Sequence, residues 1–234
     1  LVLHFKDVSN HYNLLHANVL WLVKTWLSNS NYVDGIQLNG YNFIHRTRQE
    51  CFESTHALHT LGHGGVGVYV KEGIPFESVL LTDSFSVECM TVHLPTINLH
   101  VLVVYRHAKH SKTDFLSALQ SITHVIGEKN RIIIVADINE NSLSDNKSHL
   151  IDESFLEVRF LNLFHDVPTT NEFTCIDRCY VNFDDEQSFH TVFIHNYYSF
   201  HEDFGISVAL YIANDATLTA ESNEIAKKIT NNNK

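Results

Sequence analysis

The sequence predicts an α/β fold in which two mixed β-sheets stack on each other and helices flank them. Most apolar runs have the length of a strand and are rich in β-branched residues, which is typical of buried strands. One longer segment, residues 113–126, has helical periodicity instead. Hydrophobic residues make up 44% of the 234 residues and charged residues 18%, so a sizeable core is expected. Many strands with two or three helices favour a two-layer β-sandwich with helices outside.

The N-terminal third is expected to supply four strands. LVLHF (1–5) alternates between apolar and polar residues, and VLWLV (19–23) has the pattern of a buried strand. Only about a dozen residues separate them, which leaves room for roughly three helical turns at most. The other two strands are expected within 35–46 and 64–70, with a polar, histidine-bearing loop at 47–61 between them.

The glycines of the 64–70 segment could be mistaken for a nucleotide-binding loop. A phosphate cradle needs a helix N-terminus or a nest of backbone amides, and the residues that follow, YVKEGIP, do not predict a helix. We therefore interpret the segment as a glycine-rich strand with close backbone packing.

The middle of the chain predicts a hairpin followed by a long helix. Residues 86–94 and 99–106 have strand patterns, and the PTIN between them suits a tight connection. The helix at 113–126 follows a candidate cap, Ser111 or Thr113. Its apolar residues recur at helical spacing and should face the core: Phe115, Leu116, Leu119, Ile122, Val125 and Ile126.

The C-terminal half predicts more strands and one more helix. RIIIVAD (131–137) is expected to be a core strand, and residues 148–160 are expected to be helical. Three further strands are expected, at 173–181, 191–198 and 206–212. We expect one domain over residues 1–213, followed by a C-terminal helix or linker over 214–234.

Charge and cysteine content restrict the partners and the compartment. The formal net charge of −11 opposes tight nonspecific DNA binding, because that affinity comes largely from Lys and Arg contacts to phosphates. Four scattered cysteines indicate a reducing environment, so a nuclear or cytoplasmic protein is expected. No apolar stretch reaches the length of a membrane span, and the first residues lack a signal-peptide pattern. A start without Met is expected for a fragment of a larger reading frame.

Two candidate zinc sites are weak. Cys175 and Cys179 lie four apart on an expected strand, but no second cysteine pair or well-spaced histidine pair accompanies them. His56, His59 and His63 have a loose metal-like spacing on a loop without a cysteine or carboxylate partner. Solvent-exposed histidines explain that spacing better.

Polar residues of catalytic type lie at the ends of four expected strands. Tyr105 follows LHVLVV, Asp137 and Asn139 follow RIIIVA, Asp177 lies within FTCIDRCYVN, and His201 precedes EDFGISVAL. A carboxylate can orient or deprotonate an attacking water, and an amide or phenol can donate to a phosphate oxygen. Asp and Asn also favour turns, and a strand-end tyrosine can simply pack, so structural roles are open as well.

The order of these segments resembles the endonuclease/exonuclease/phosphatase superfamily, and most closely the endonuclease domain of non-LTR retrotransposons. Ala136-Asp137-Ile138-Asn139 resembles the family's Gly-Asp-Phe-Asn. Ile176-Asp177 is similar to its Ile-Asp pair, and Ser199-Phe200-His201 to its Ser-Asp-His. Gly40-Tyr41 and the glycine-rich strand follow the same family order.

This resemblance implies an α/β sandwich and Mg²⁺-dependent hydrolysis of DNA phosphodiester bonds. It implies that Asp177 orients His201 toward the scissile phosphate, and that Asp137, Asn139 and Tyr105 complete the site. These side chains should therefore converge at one rim of the sandwich.

Three departures from the family's pattern fall on its metal-binding side. Val23-Lys24-Thr25-Trp26-Leu27 resembles the family's Glu-Thr-Trp-Leu, so Lys24 stands where the resemblance implies a metal-binding Glu. Lys6 stands at a metal-side Asn position and Phe200 at an Asp position. An ammonium repels Mg²⁺, which prefers carboxylate and water oxygens. Asp7 is expected to point to the opposite face of its strand, so Mg²⁺ should bind weakly or not at all.

Three functional interpretations are open at this point. The chain is an endonuclease-type domain acting on DNA, whether active or weakened. Alternatively, it is a catalytically inactive domain with a binding or scaffold role, or a phosphatase for small phosphate esters. The sequence does not fix the DNA sequence specificity or the oligomeric state.

Overall fold

In the computed structural model of the chain, a six-stranded and a three-stranded β-sheet organise most of the described residues. The described residues are 9, 17–27, 35–62, 64–79, 86–127, 129–143, 151, 154, 160–162, 174–183, 189–197 and 204–212. For 161–162, 189–197 and 204–212 the structure describes only the backbone.

The larger sheet has the strand order β4-β5-β6-β7-β9-β8. Its strands are β4 (Glu77–Val79), β5 (Glu88–Leu94), β6 (Leu99–Tyr105), β7 (Arg131–Asp137), β8 (Leu161–Asn162) and β9 (Asp177–Val181). β6 and β7 pair in parallel, and the other pairings in this sheet are antiparallel. A parallel pair needs a crossover connection, which the long helix between β6 and β7 supplies.

The smaller sheet, with the order β1-β3-β2, covers one face of the larger sheet. It consists of β1 (Val19–Val23), β2 (Tyr41–Arg46) and β3 (Val66–Lys71). Val66, Val68 and Val70 of β3 are fully buried, and they belong to the same apolar cluster as the inward-facing residues of β5, β6 and β7. This layer between the two sheets confirms the predicted sandwich.

The other face of the larger sheet is covered by α2 (Lys112–Ile126). Ser111 caps the helix, because its hydroxyl accepts a hydrogen bond from the backbone N–H of Asp114. Four of the predicted core residues are buried: Phe115, Leu119, Ile122 and Ile126. The prediction for Val125 is wrong, since its side chain is 63% exposed. At 3.6 residues per turn it lies about 90° from the centre of the buried stripe.

The remaining described strands pair with each other. β10 (Phe189–Tyr197) and β11 (Phe204–Ile212) form an antiparallel two-stranded sheet in which Phe189 lies opposite Ile212. Strands were expected at 191–198 and 206–212, so their existence is confirmed with bounds shifted by one or two residues.

The predicted loop at 47–61 begins with a one-turn helix, α1 (Arg48–Cys51). Thr47 and Glu50 form a capping box, in which each side chain accepts a hydrogen bond from the other's backbone N–H. A threonine followed three residues later by a glutamate is a sequence signature of a helix start.

The strand predicted at 173–181 begins only at Asp177. Cys175 therefore precedes β9, and the expectation that it lies on the same strand as Cys179 is wrong. Both are buried free thiols, and burial raises the pKa of Cys179 to about 12. Among the described residues, no group of three or more His, Cys, Asp or Glu is placed to hold a metal ion.

Some predicted elements lie outside the described residues, namely the strand at 1–5 and the segment 214–234. Most of the predicted helix at 148–160 does so too, although Ile151 and Ser154 within it are helical. In the part of the chain that is described, no helix is long and apolar enough to cross a membrane.

Candidate active site

One row of residues across the larger sheet brings the predicted polar side chains together. Tyr105 at the end of β6 lies opposite Asp137 at the end of β7, and Asp137 lies opposite Asp177 at the start of β9. On the other side, Tyr105 lies opposite Glu88, the first residue of β5. Residues directly opposite each other point to the same face of a sheet. Tyr105 belongs to the apolar cluster between the sheets, so the row faces the smaller sheet.

Lys24 reaches this row from the smaller sheet, directly after β1. Its Nζ lies 2.7 Å from Oδ2 of Asp137 and 5.5 Å from the centre of the Tyr105 ring. The Asp137 side chain is only 3% exposed, whereas that of Lys24 is 28% exposed. The ion pair therefore joins the two layers at the rim and supplies a positive charge to a nearly buried carboxylate.

The backbone that carries Lys24 is held in an unusual conformation. Lys24 and Trp26 have φ angles of 53° and 57°, in the left-handed region that disfavours residues with a Cβ. The backbone N–H of Thr25 donates to the carbonyl of Gly65, at 3.1 Å, and that of Trp26 to the carbonyl of Gly64, at 2.8 Å. These bonds hold residues 24–26 against the start of β3.

A buried ion pair lies next to Tyr105, and the sequence analysis missed it. Nε of Arg48 lies 2.7 Å from Oε1 of Glu88, and the two side chains are 2% and 1% exposed. The second carboxylate oxygen of Glu88 accepts the backbone N–H of Gly65 at 2.6 Å. The Arg48 guanidinium also donates to the carbonyl of Gly62 and lies 5.7 Å from the Tyr105 ring centre. This pair fixes the loop before β3 onto the larger sheet.

The alternation of residues in β5 indicates that Glu88 faces the core. Glu88 stands in SVECMTVHL at the same alternation as Met90 and Val92, which face the core. A carboxylate at a core-facing position needs a buried partner, because burying an unpaired charge is strongly unfavourable. Burial raises the pKa of Glu88, while Gly65 and Arg48 oppose that shift.

At neutral pH two ring groups at the rim are uncharged, and each carries one proton that it can donate in a hydrogen bond. Burial raises the pKa of Tyr105, with Lys24 acting in the opposite direction. Burial and nearby cations, Arg48 among them, lower the pKa of His107, so its imidazole is neutral. Nδ1 of His107 accepts the backbone N–H of Lys109, which leaves the proton of the neutral ring on Nε2.

Asn139 lies in a turn beyond β7 rather than on the strand itself. Its φ is 47°, and its backbone N–H donates to Oδ1 of Asp137 at 3.1 Å. Its side-chain amide donates to the carbonyl of Arg106 at 2.7 Å, and a second amide N–H remains for a ligand. Asn139 therefore does not continue β7 beside Asp137, but the turn keeps the two residues together.

Two buried arginines hold the loops that carry the site. The Arg106 guanidinium donates to the carbonyls of Ile138 and His110, at 2.8 and 2.7 Å. Arg178 donates to the carbonyls of Cys175 and Glu140, at 2.8 and 3.0 Å. Both are at most 4% exposed. Their hydrogen bonds connect the turn after β7 to the segments before α2 and before β9.

The structure thus brings Tyr105, Asp137, Asn139 and Asp177 to one rim, with Lys24 beside them. The predicted residues Lys6, Phe200 and His201 lie outside the described residues. The contact between Asp177 and His201 therefore stays a prediction, as do the catalytic roles of the set.

The carboxylates of Asp137 and Glu88 at this rim are not placed to bind Mg²⁺. Lys24, at the position where the resemblance implies a metal-binding Glu, places an ammonium on Oδ2 of Asp137. Both oxygens of Glu88 are bound, one by Arg48 and one by Gly65. Mg²⁺ requires an octahedral shell of oxygen ligands and water, and an ammonium can only repel it.

Comparison with known proteins supports the architecture. No protein-family model and no curated protein matches the chain. The endonuclease domain of TRAS1, a telomere-specific non-LTR retrotransposon, matches with a TM-score of 0.65 at 12% identity, over 88% of this chain and 91% of that one. The Neisseria 3′ phosphatase NExo, bound to a product DNA hairpin, matches with a TM-score of 0.63 at 11% identity, over 89% and 94%.

Truncated Caenorhabditis elegans TDP2 matches with a TM-score of 0.54 at 9% identity, over 90% of this chain and 91% of that one. The chain has the endonuclease/exonuclease/phosphatase fold. Identities this low show the fold and leave the activity open. The candidate site of this fold is the rim that carries Tyr105, Asp137 and Asp177.

Proposed function

We propose that the chain is an endonuclease-type phosphodiesterase domain of a retroelement, that it acts on DNA, and that its Mg²⁺-dependent hydrolysis is impaired. The observation that carries the proposal is the 2.7 Å ion pair between Lys24 and Asp137. The pair joins Asp137, which matches the family's pattern, to Lys24, which departs from that pattern on the metal-binding side.

The ion pair affects two parts of the expected chemistry. A general base needs a lone pair directed at the attacking water. Oδ2 of Asp137 instead faces the Lys24 ammonium, and Oδ1 accepts the N–H of Asn139. A metal ion would also stabilise charge that develops on the phosphoryl oxygens. A single ammonium bonded to a carboxylate is a much weaker substitute.

Groups that suit phosphate recognition are present on the same rim. The protonated phenol of Tyr105, the amide of Asn139 and the imidazole of His107 are neutral donors, which do not need a metal to bind a phosphate oxygen. DNA as the ligand is supported by NExo bound to a DNA hairpin and by zebrafish (D. rerio) TDP2 complexed with a single-strand DNA product. The second candidate is therefore a DNA-binding domain without catalysis, which the same ion pair favours.

Plasmid nicking tests the proposal. We expect wild-type protein with Mg²⁺ or Mn²⁺ to nick supercoiled plasmid at least about a hundredfold more slowly than the TRAS1 endonuclease domain, because metal stabilisation of a transition state is worth several kcal/mol. Lys24→Glu alone should recover little. The triple change Lys6→Asn, Lys24→Glu, Phe200→Asp should recover more. Lys24→Gln is the matched control, since it removes the charge without supplying a ligand.

Two outcomes would contradict the proposal. Rapid Mg²⁺-dependent nicking by the wild-type chain, abolished by Asp137→Ala, would show a working nuclease. Rapid hydrolysis of a chromogenic phosphate monoester, without any binding of DNA, would support a small-substrate phosphatase instead.

A further inference from the structure

Trp26 is exposed at the rim of the candidate site. With 44% of its surface accessible, it is one of two large hydrophobic side chains that are exposed in the described part of the chain. The other is Val125, near the C-terminal end of α2. Isolated exposed apolar residues are common, so exposure alone assigns no role to Trp26.

The backbone shows that the position of Trp26 is imposed by its surroundings. Its φ of 57° is unfavourable for a residue with a large side chain. Such conformations persist where neighbouring structure over-determines them, and they concentrate at ligand-binding sites. Here the hydrogen bonds from Thr25 to Gly65 and from Trp26 to Gly64 hold the segment against β3. The indole is therefore presented from a fixed backbone.

Trp26 is close along the chain to the groups that we propose recognise phosphate. Lys24 is two residues away, so the two Cα atoms are at most about 7 Å apart. The Lys24 ammonium contacts Asp137 and lies 5.5 Å from the Tyr105 ring centre. An aromatic face next to such groups suits a ligand that carries a planar base beside a phosphate.

We infer that Trp26 is a stacking platform for an unpaired nucleobase adjacent to the phosphate held at this rim. The inference rests on the proposed function, since it requires that nucleic acid binds there. With a net charge of −11 the chain is poorly suited to a long track of phosphate contacts. Stacking supplies affinity that does not depend on positive charge. An indole can stack on any of the bases, because each base has a π-face.

Fluorescence provides a direct test because the chain has two tryptophans. Trp21 lies in β1 and packs against the core between the sheets. In a Trp21→Phe background, Trp26 is the sole tryptophan. We propose titrating this protein, in EDTA, with an eight-nucleotide single-stranded oligo(dT) and with an abasic oligomer of the same length. The oligo(dT) should quench Trp26 emission, and the abasic oligomer should bind without quenching it.

Variants then separate stacking from phosphate binding. Trp26→Ala should weaken oligo(dT) binding about 5- to 150-fold, as expected for the loss of one stacked base. Trp26→Phe should retain most of the affinity. Neither variant should change the affinity for the abasic oligomer or the melting temperature. Val125→Ala, which removes the other exposed apolar side chain, should leave all of these measurements unchanged.

The failures of the two proposals are distinguishable. If wild-type protein binds both oligomers but Trp26→Ala binds oligo(dT) equally well, the stacking role is wrong and the proposed function stands. If neither oligomer binds to the wild-type chain, both are wrong. A lower melting temperature in Trp26→Ala and Trp26→Phe, with oligo(dT) affinity retained, would assign Trp26 to the stability of the fold.

Discussion

Lys24 supplies the positive charge beside Asp137 from the chain itself. Its ammonium carries one charge and is tethered to β1, whereas a magnesium ion carries two and brings bound water. The ion pair can therefore offset the charge of the carboxylate without activating a water molecule. Because Lys24 is 28% exposed and Asp137 only 3%, the cation lies on the solvent side of the pair.

The Arg48–Glu88 pair permits a sharp prediction about stability at the scale of single residues. Both side chains are at most 2% exposed. Removing one partner leaves the other charge buried without compensation, which costs about 3–5 kcal/mol. We expect Glu88→Gln to lower the free energy of unfolding by this amount in urea denaturation, and Arg48→Met to do likewise.

A double-mutant cycle provides the control for this prediction. Arg48→Met/Glu88→Gln should cost clearly less than the sum of the single changes, because no buried charge is left. Additive losses would mean that the two residues stabilise the fold independently. Because Glu88 also accepts the N–H of Gly65, the single variant should loosen the loop before β3 as well.

At the scale of elements, the site depends on how closely residues 24–26 approach the start of β3. Gly65 has a φ of +89°, and a Cβ there would lie 2.7 Å from the hydroxyl of Thr25 and 3.0 Å from the carbonyl of Arg46. Gly65→Ala should therefore cost more than about 2 kcal/mol, since steric conflict adds to the backbone strain of about 1–2 kcal/mol.

Gly73→Ala is the matched control for Gly65→Ala. Its φ of +85° is almost the same, but a Cβ at this position meets nothing within 4 Å. It should cost only the strain, about 1–2 kcal/mol. Thermal or urea denaturation of both variants gives the difference. Equal losses would show that the approach of residues 24–26 to β3 is not tightly constrained.

The sequence predicted the long, strongly patterned elements and missed the short ones. β6, β7 and α2 have continuous apolar runs or clear helical periodicity, and the structure contains all three. β4 and β8 have three and two residues, which is too short for a pattern to develop. Their place at the edges of the larger sheet depends on pairing with β5 and β9, which is a tertiary property.

The candidate site was predictable where it followed strand ends and not where it depended on contacts between layers. Tyr105, Asp137 and Asp177 share a row because their strands pair in register. The strand pattern indicates that Glu88 needs a buried partner, but no local pattern identifies Arg48, forty positions away, as that partner. The charge on Lys24 was readable from the sequence, but its approach to Asp137 required the stacking of the two sheets.

For the molecule as a whole, the arrangement of charge limits how the chain meets nucleic acid. The net charge of −11 raises the electrostatic cost of approach to a polyanion. Three arginines described at this rim, Arg48, Arg106 and Arg178, are buried and bonded to protein groups. They shape the rim and are not positioned to contact a phosphate backbone, so binding should depend on a few local contacts.

The stability of the whole chain should depend on pH through His110. This histidine packs against the rings of Phe52, His56 and Phe115 and is only 6% exposed. Burial, followed by the nearby charges of Arg106 and His56, lowers its pKa to about 4, and the carboxylate of Asp114 only partly opposes this. In the unfolded chain the pKa of a histidine is near its ordinary value of about 6.5.

Between these two values the unfolded chain binds a proton at His110 and the folded chain does not. The free energy of unfolding should therefore fall as the pH falls from about 6.5 to about 4, by as much as ~3 kcal/mol from this residue. His110→Phe keeps an aromatic ring in the cluster and should remove that part of the pH dependence. His124→Gln, at an exposed position on α2, should retain it. Urea denaturation of the three proteins at pH 7 and pH 4.5 measures the effect, and an unchanged slope in His110→Phe would show that His110 does not stay neutral in the folded chain.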